Sequence, residues 1–149
     1  MLSTPFCLVL PRALYEEMLA QARAELPNEC CGLLAGRIES AEPGTLPRAL
    51  VLRRFSLVNE AASPVEYLSE PKSMFVAVRA MDKEGLDPVA VYHSHPTSDP
   101  VPSRKDREQN YSPEIMNLII SLKGPEALMR GWWLTAEDHR EAEWALAAD

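Results

Sequence analysis

The chain has 149 residues, 46% apolar and 25% charged, the composition of an ordinary globular domain long enough to bury roughly two thirds of its unfolded surface. A net charge of −7 argues against a phosphate-backbone partner, whose affinity rests on Lys and Arg, and leans toward a neutral or basic protein partner. No apolar run approaches the ~18 residues of a membrane span. The cysteines Cys7, Cys30 and Cys31, odd in number and two of them adjacent, make no disulfide framework, so a reducing, cytoplasmic setting is the simpler reading.

In chain order, "MLSTPFCLVLPRALYEE" has neither a basic leader nor a small-residue cleavage site, and "FCLVL" reads as a first strand. "PRALYEEMLAQARAEL" opens on Pro11, a residue suited to a helix start, and Leu14, Met18 and Ala22 recur at i, i+4, i+8 with Tyr15, Leu19 and Leu26 widening the stripe. Pro27-Asn28 closes this helix. "ECCGLLAGRI" and "RALVLRRFSLVN" read as paired strands joined by "ESAEPGTLP", and on the first of them Cys30 and Cys31 point to opposite faces. The segments "EPGTLP" and "EAASPVEY" are loops within the domain. "SEPKSMFVAVRAMDKEG" is a second helix, with Ser69 as its cap, Pro71 in its first turn, a Met74, Val78, Met81 stripe and Gly85 as its stop. "PVAVYHSH" is then a strand, "RKDREQN" a short helix and "EIMNLIISL" a strand. "LMRGWWLT" and "HREAEWALA" pair as a terminal hairpin, although Ala and Glu in the last piece also favour helix. The order is α/β, with helices packed on a sheet.

The chemistry concentrates at "HSHPTSDPVPSRKD". On a strand, His93 and His95 face the same side, roughly 7 Å apart at the backbone, and Ser94 faces the other. Two converging imidazoles suit zinc, which takes neutral histidine nitrogens at ~2.0–2.1 Å. Pro96 turns the chain, and Asp106 can return to add an oxygen ligand. Three protein ligands and an open fourth position define a catalytic site and not a closed structural one. The bland alternative for Ser103 and Asp106 is a helix capping box, and the two readings are compatible because a helix start is a rigid place to hold both side chains. His139 stands alone and reads as a surface residue, Asp99 as turn chemistry, Trp132 and Trp133 as packing.

The spacing H-S-H-P, six residues, S, two residues, D resembles the signature of the JAMM metalloproteases, also called MPN-plus domains, and "LPNECCGLLAG" supplies Glu29 in a setting like that family's glutamate segment. The resemblance implies one JAMM/MPN-like domain over residues 1–149: an α/β fold with a mixed, mostly antiparallel sheet flanked by helices, similar to the cytidine-deaminase-like architecture. It implies that His93, His95 and Asp106 bind Zn2+, that Glu29 is the general base, and that Ser103 donates to the developing oxyanion. The implied reaction is hydrolysis of a peptide or isopeptide bond at the C-terminal tail of a ubiquitin-like protein. The small size resembles standalone bacterial members that act on sulfur-carrier proteins of ubiquitin fold. It further implies a tail bound extended along a strand edge, with small residues beside the cut.

Two other classes compete. A non-catalytic MPN-type scaffold for a ubiquitin-like partner lacks metal residues, and the full set present here argues against it. A zinc deaminase needs H-x-E and P-C-x-x-C, but position 95 is His and the chain has no C-x-x-C.

Overall fold

The computed structural model describes residues 5–110 and 112–148. The first four residues of the N-terminal segment lie outside the described residues. β1 (Cys7–Leu10) leads into α1 (Arg12–Ala24), which starts at Pro11 without a side-chain cap. Met18, Leu19 and Ala22 are its buried face, with Leu14 and Tyr15 packed alongside. The helix ends at Ala24, before Pro27-Asn28, so Leu26 has left the expected stripe and is exposed.

β2 (Cys31–Glu39) and β3 (Arg48–Leu57) form an antiparallel pair. Glu29 and Cys30 precede β2, whereas the sequence reading put them inside the strand. α2 (Pro71–Glu84) has Pro71 at its first position and Gly85 in the left-handed region at its end (φ 69°), as expected. Its cap is Glu70 and not Ser69: the Glu70 carboxylate accepts from the Ser73 N–H at 3.1 Å, the acidic group the helix N-terminus favours. Ala77 and Met81 are buried, while Val78 turns outward, because the helix seats its small Ala77 against the sheet.

β4 (Asp87–His95), α3 (Arg104–Glu108), β5 (Met116–Ser121), β6 (Leu128–Leu134), β7 (His139–Ala142) and β8 (Trp144–Leu146) complete the chain. The eight strands form one sheet in the order β7-β6-β5-β4-β2-β3-β1-β8. Pairs β2–β3, β2–β4, β5–β6 and β6–β7 are antiparallel; β1–β3, β1–β8 and β4–β5 are parallel. The expected terminal hairpin exists as β6–β7. The residues after it do not continue the hairpin: past Glu143 the chain crosses to the far edge and β8 pairs with β1.

Each face of the sheet carries a core. One, under α1, gathers Leu8, Met18, Cys30, Leu34, Tyr92, Leu118 and Trp133. The other, under α2, gathers Cys31, Leu33, Ala77, Met81 and Val91. Cys30 and Cys31 thus go to opposite faces, both buried and unpaired. Gly32 is required where it stands: a Cβ there would lie 2.0 Å from the Tyr92 ring. Among the described residues no helix is long and apolar enough to cross a membrane.

Candidate metal centre

β4 is a central strand, paired with β2 on one side and β5 on the other. Strand alternation sends Tyr92 and Ser94 to the α1 face and His93 and His95 to the other, and both rings are buried. Pro96 begins a turn that returns the chain at α3. There Ser103 and Asp106 form a reciprocal capping box: Ser103 Oγ accepts from the Asp106 N–H at 3.1 Å, and Asp106 Oδ2 accepts from the Ser103 N–H at 2.9 Å. The cap therefore locks the Asp106 carboxylate over the histidine pair.

Three donor atoms meet. His93 Nε2, His95 Nε2 and Asp106 Oδ2 are mutually 3.2 Å apart. A tetrahedral ion with bonds of ~2.0–2.1 Å holds its donors ~3.3–3.4 Å apart, so this triangle has the dimensions of one face of such a shell. The hydrogen bonding argues the same way. His95 Nδ1 lies 2.8 Å from the Asp99 carbonyl, which can only accept, so Nδ1 carries the proton. In neutral His95 the Nε2 lone pair then faces a carboxylate oxygen, an arrangement that needs a positive charge, either a proton on Nε2 or a metal ion between the two. A carbonyl orienting the far nitrogen of a ligating imidazole is the usual support for a metal site. The donor set, two imidazoles and a carboxylate, fits a divalent metal ion.

Burial alone would raise the Asp106 pKa, but the His93 and His95 rings and the Ser103 N–H override it and hold the carboxyl well below the usual carboxylate range. Burial lowers the His95 pKa, yet the Asp106 carboxylate and the Asp99 carbonyl outweigh it and leave the imidazole above its ordinary value.

Glu29 enters the same region from the start of β2. It is 3% exposed, and its Oε1 has no hydrogen-bond partner. Among the described residues, only His93 Nδ1 shares that condition as a buried, unpartnered side-chain polar atom. Burial pushes the Glu29 carboxyl up to about 8, with His95 pulling it down and Asp106 pushing it further up. Ser103 stays exposed at the rim.

Several supports were not evident from sequence. Ser94, which faces away from the histidines, ties the Glu29 segment to β4: its Oγ accepts from the Cys30 N–H at 2.8 Å, and its own N–H donates to the Cys30 carbonyl at 3.2 Å. Tyr67 stacks on His93 with ring centroids 4.6 Å apart. Three consecutive carbonyls of the turn are each held by a side chain. Ser121 Oγ donates to Ser98 O at 2.6 Å, His95 Nδ1 to Asp99 O at 2.8 Å, and Trp132 Nε1 to Pro100 O at 2.9 Å. Trp132 thus steadies the metal-site turn besides packing. Asp99 contributes through its backbone, its carboxylate pairing with Lys123 at the surface. His139 is exposed, edge-on to Trp132.

A buried two-histidine, one-carboxylate triangle at the end of a central strand, with an unpartnered glutamate oxygen beside it, fits a metal-binding class of site on an α/β scaffold. The family model described as prokaryotic homologs of the JAB domain (Prok-JAB) matches residues 11–135, and the chain belongs to that family. It is 35% identical over 126 residues to a desampylase of Haloferax volcanii, covering 84% of this chain and 83% of that protein. It is 31% identical over 122 residues to a CysO-cysteine peptidase of Mycobacterium tuberculosis, covering 82% and 78%. A protein of Desulfitobacterium hafniense solved in solution superposes with a TM-score of 0.82 at 33% identity, covering 95% of this chain and 94% of that one.

Proposed function

We propose that this chain, acting as one domain, is a zinc-dependent hydrolase that cleaves a peptide or isopeptide bond at the C-terminal tail of a ubiquitin-like sulfur-carrier protein. The observation that carries the reading is the triangle of His93, His95 and Asp106 donor atoms, 3.2 Å on each side and buried at the end of a central strand. The substrate class follows the similar proteins, one named for CysO-cysteine and one for desampylation. The unpaired cysteines suit the reducing conditions of the cytoplasm.

His93, His95 and Asp106 would hold the ion. When bound, it supplies Lewis-acid chemistry, polarising the scissile carbonyl and making water a usable nucleophile near neutral pH. Glu29 takes the proton from the attacking water and passes it to the leaving amine. Positive charge at the site favours its ionised form, so Glu29 starts the cycle as a base. Ser103 Oγ accepts from the Asp106 N–H, which leaves its hydroxyl proton to donate to the oxygen on which negative charge develops. β4 is paired on both sides, so an edge that takes the extended tail lies elsewhere than on β4.

The purified chain, supplied with zinc, is expected to carry one ion and to cleave a ubiquitin-fold carrier fused through a terminal Gly-Gly. His93→Ala and His95→Ala should lose both the ion, by elemental analysis, and the cleavage. Full zinc retention in both variants would refute the site.

A further inference from the structure

The segment after β3 closes on itself. Asn59 and Ser69 form an antiparallel bridge, the Glu60 N–H donates to the Leu68 carbonyl at 2.7 Å, and the Glu70 N–H donates to the Val58 carbonyl at 2.9 Å. Residues 60–68 are therefore a compact loop with joined ends. Its interior is organised by one buried side chain. Asn59 Oδ1 accepts from the N–H groups of Ala61 (3.1 Å) and Leu68 (3.0 Å), and Nδ2 donates to the Glu66 carbonyl at 3.1 Å. The remaining Nδ2 proton leaves the loop and donates to the Glu29 carbonyl at 3.0 Å. Both donors and both lone pairs of the carboxamide are thus engaged.

The loop returns the contact. The Glu29 N–H donates to the Ser63 carbonyl at 2.8 Å, so the backbone of Glu29 is held by this loop through both its N–H and its carbonyl. The loop also touches the other parts of the site: Tyr67 stacks on His93, and Glu66 pairs with Lys105, the neighbour of Asp106. Ala62 sits at φ 46°, a left-handed conformation that a non-glycine residue keeps only where surrounding bonds hold it. The Glu29 carboxylate, by contrast, has an unpartnered Oε1, so that oxygen takes no side-chain bond to fix its aim. Its backbone anchors are the Ser63 carbonyl and the Asn59 carboxamide, and Asn59 also orders the loop that carries Ser63.

We infer that Asn59 is a positioning residue for the reaction proposed above: it joins the 60–68 loop to the Glu29 backbone and so fixes the general base relative to the metal ligands. The inference rests on that functional reading for its consequence in turnover, but not for its structural part. Asn59→Asp separates the bonds. It keeps an acceptor for Ala61 and Leu68, and replaces the donor facing Glu29 and Glu66 by a second acceptor.

In the zinc-loaded chain, Asn59→Asp should retain one zinc, since it leaves His93, His95 and Asp106 untouched. The Glu29 amide should exchange with solvent at least about tenfold faster, while the β5 amides of Leu118 and Ile120 keep their protection. On a ubiquitin-fold fusion, kcat should fall by on the order of 10²-fold, the cost of misplacing a reacting group by about 1 Å, with KM changed far less. Asn59→Ala, which introduces no charge, should repeat the pattern if the aspartate variant fails to fold. Wild-type Glu29 exchange in a folded variant overturns the inference, and so does acceleration spread equally over β5. A wild-type chain that cleaves no carrier fusion refutes the proposed function instead, and the exchange measurement still decides the role of Asn59.

Discussion

Tyr92 and His93 are consecutive on β4 and point to opposite faces of the sheet, and the two faces treat buried polarity differently. On the Tyr92 side the polar atoms meet protein partners. Tyr92 donates to Gln21 Oε1 at 2.5 Å, Arg54 donates to Tyr92 at 3.0 Å and to Gln21 at 2.9 Å, and Gln21 Nε2 donates to Glu25 and to the Cys31 carbonyl, each at 2.9 Å. On the His93 side, Glu29 Oε1 and His93 Nδ1 have no partner, and three donor atoms converge on one point. Polar groups buried for structure are normally paired within the protein. Those left open are where the proposed ion and substrate would bind.

The largest expected break in this contrast comes from Glu29→Gln. The carboxamide keeps the shape but cannot accept a proton, so turnover should fall by roughly 10²–10⁴-fold with zinc retained. Zinc content and rate measured on one preparation decide it: wild-type rate removes the base assignment, and zinc loss makes Glu29 a ligand. The same variant sharpens the contrast in the metal-free chain. There the Glu29 carboxyl is pushed up to about 8, first by burial, so the folded chain keeps a proton that the unfolded chain loses near its ordinary 4.5. That contribution to stability is complete below pH 4.5 and is lost as pH rises through 8. Each pKa unit is worth about 1.4 kcal/mol, so urea unfolding at pH 5 and pH 8 should show a decline on the order of a few kcal/mol that Glu29→Gln reduces, the remainder belonging to His95, whose raised pKa loses stability in the same direction.

Ser103→Ala tests whether the helix cap is also the proposed oxyanion donor. Loss of an oxyanion donor should lower kcat by on the order of 10²-fold. Loss of the cap should cost about 1 kcal/mol in thermal or urea unfolding. A stability loss without a rate loss would leave Ser103 a helix cap alone. The smallest effect belongs to the closed face. Tyr92→Phe should cost about 1–2 kcal/mol by leaving Arg54 and Gln21 short of a partner, with kcat and zinc content unchanged. A rate loss there as large as that of Ser103→Ala would mean that the two faces are not separable.

The site was legible because its residues are close in sequence and their spacing matches a strand, a turn and a helix start; His93, His95, Ser103 and Asp106 lie within fourteen positions of one another. Glu29 was reached only through the family's glutamate segment, since nothing local distinguishes it from a solvated residue after Pro27-Asn28. Asn59 left no signal at all. A lone asparagine after a strand reads as turn chemistry, and its bond to Glu29 joins residues thirty positions apart. Strand and helix existence followed hydrophobic periodicity, but the Glu70 cap, the outward Val78 and the departure of β8 from the hairpin depend on which surface packs where. Ala142, Trp144 and Leu146 alternate as a strand should, yet alternation does not say which partner the strand will find.

That last strand has a further consequence. β7 covers β6 and β8 covers β1, with Glu143 alone between them, its carbonyl accepting from the Leu8 N–H at 3.1 Å. An uncovered sheet margin is a template on which a foreign chain can polymerise, and short strands are one means of blunting it. Here a single short ribbon shields both margins. A protease clip in the exposed turn before His139 that let this ribbon go would bare β6 and β1 together, so one lesion would carry the aggregation risk of two.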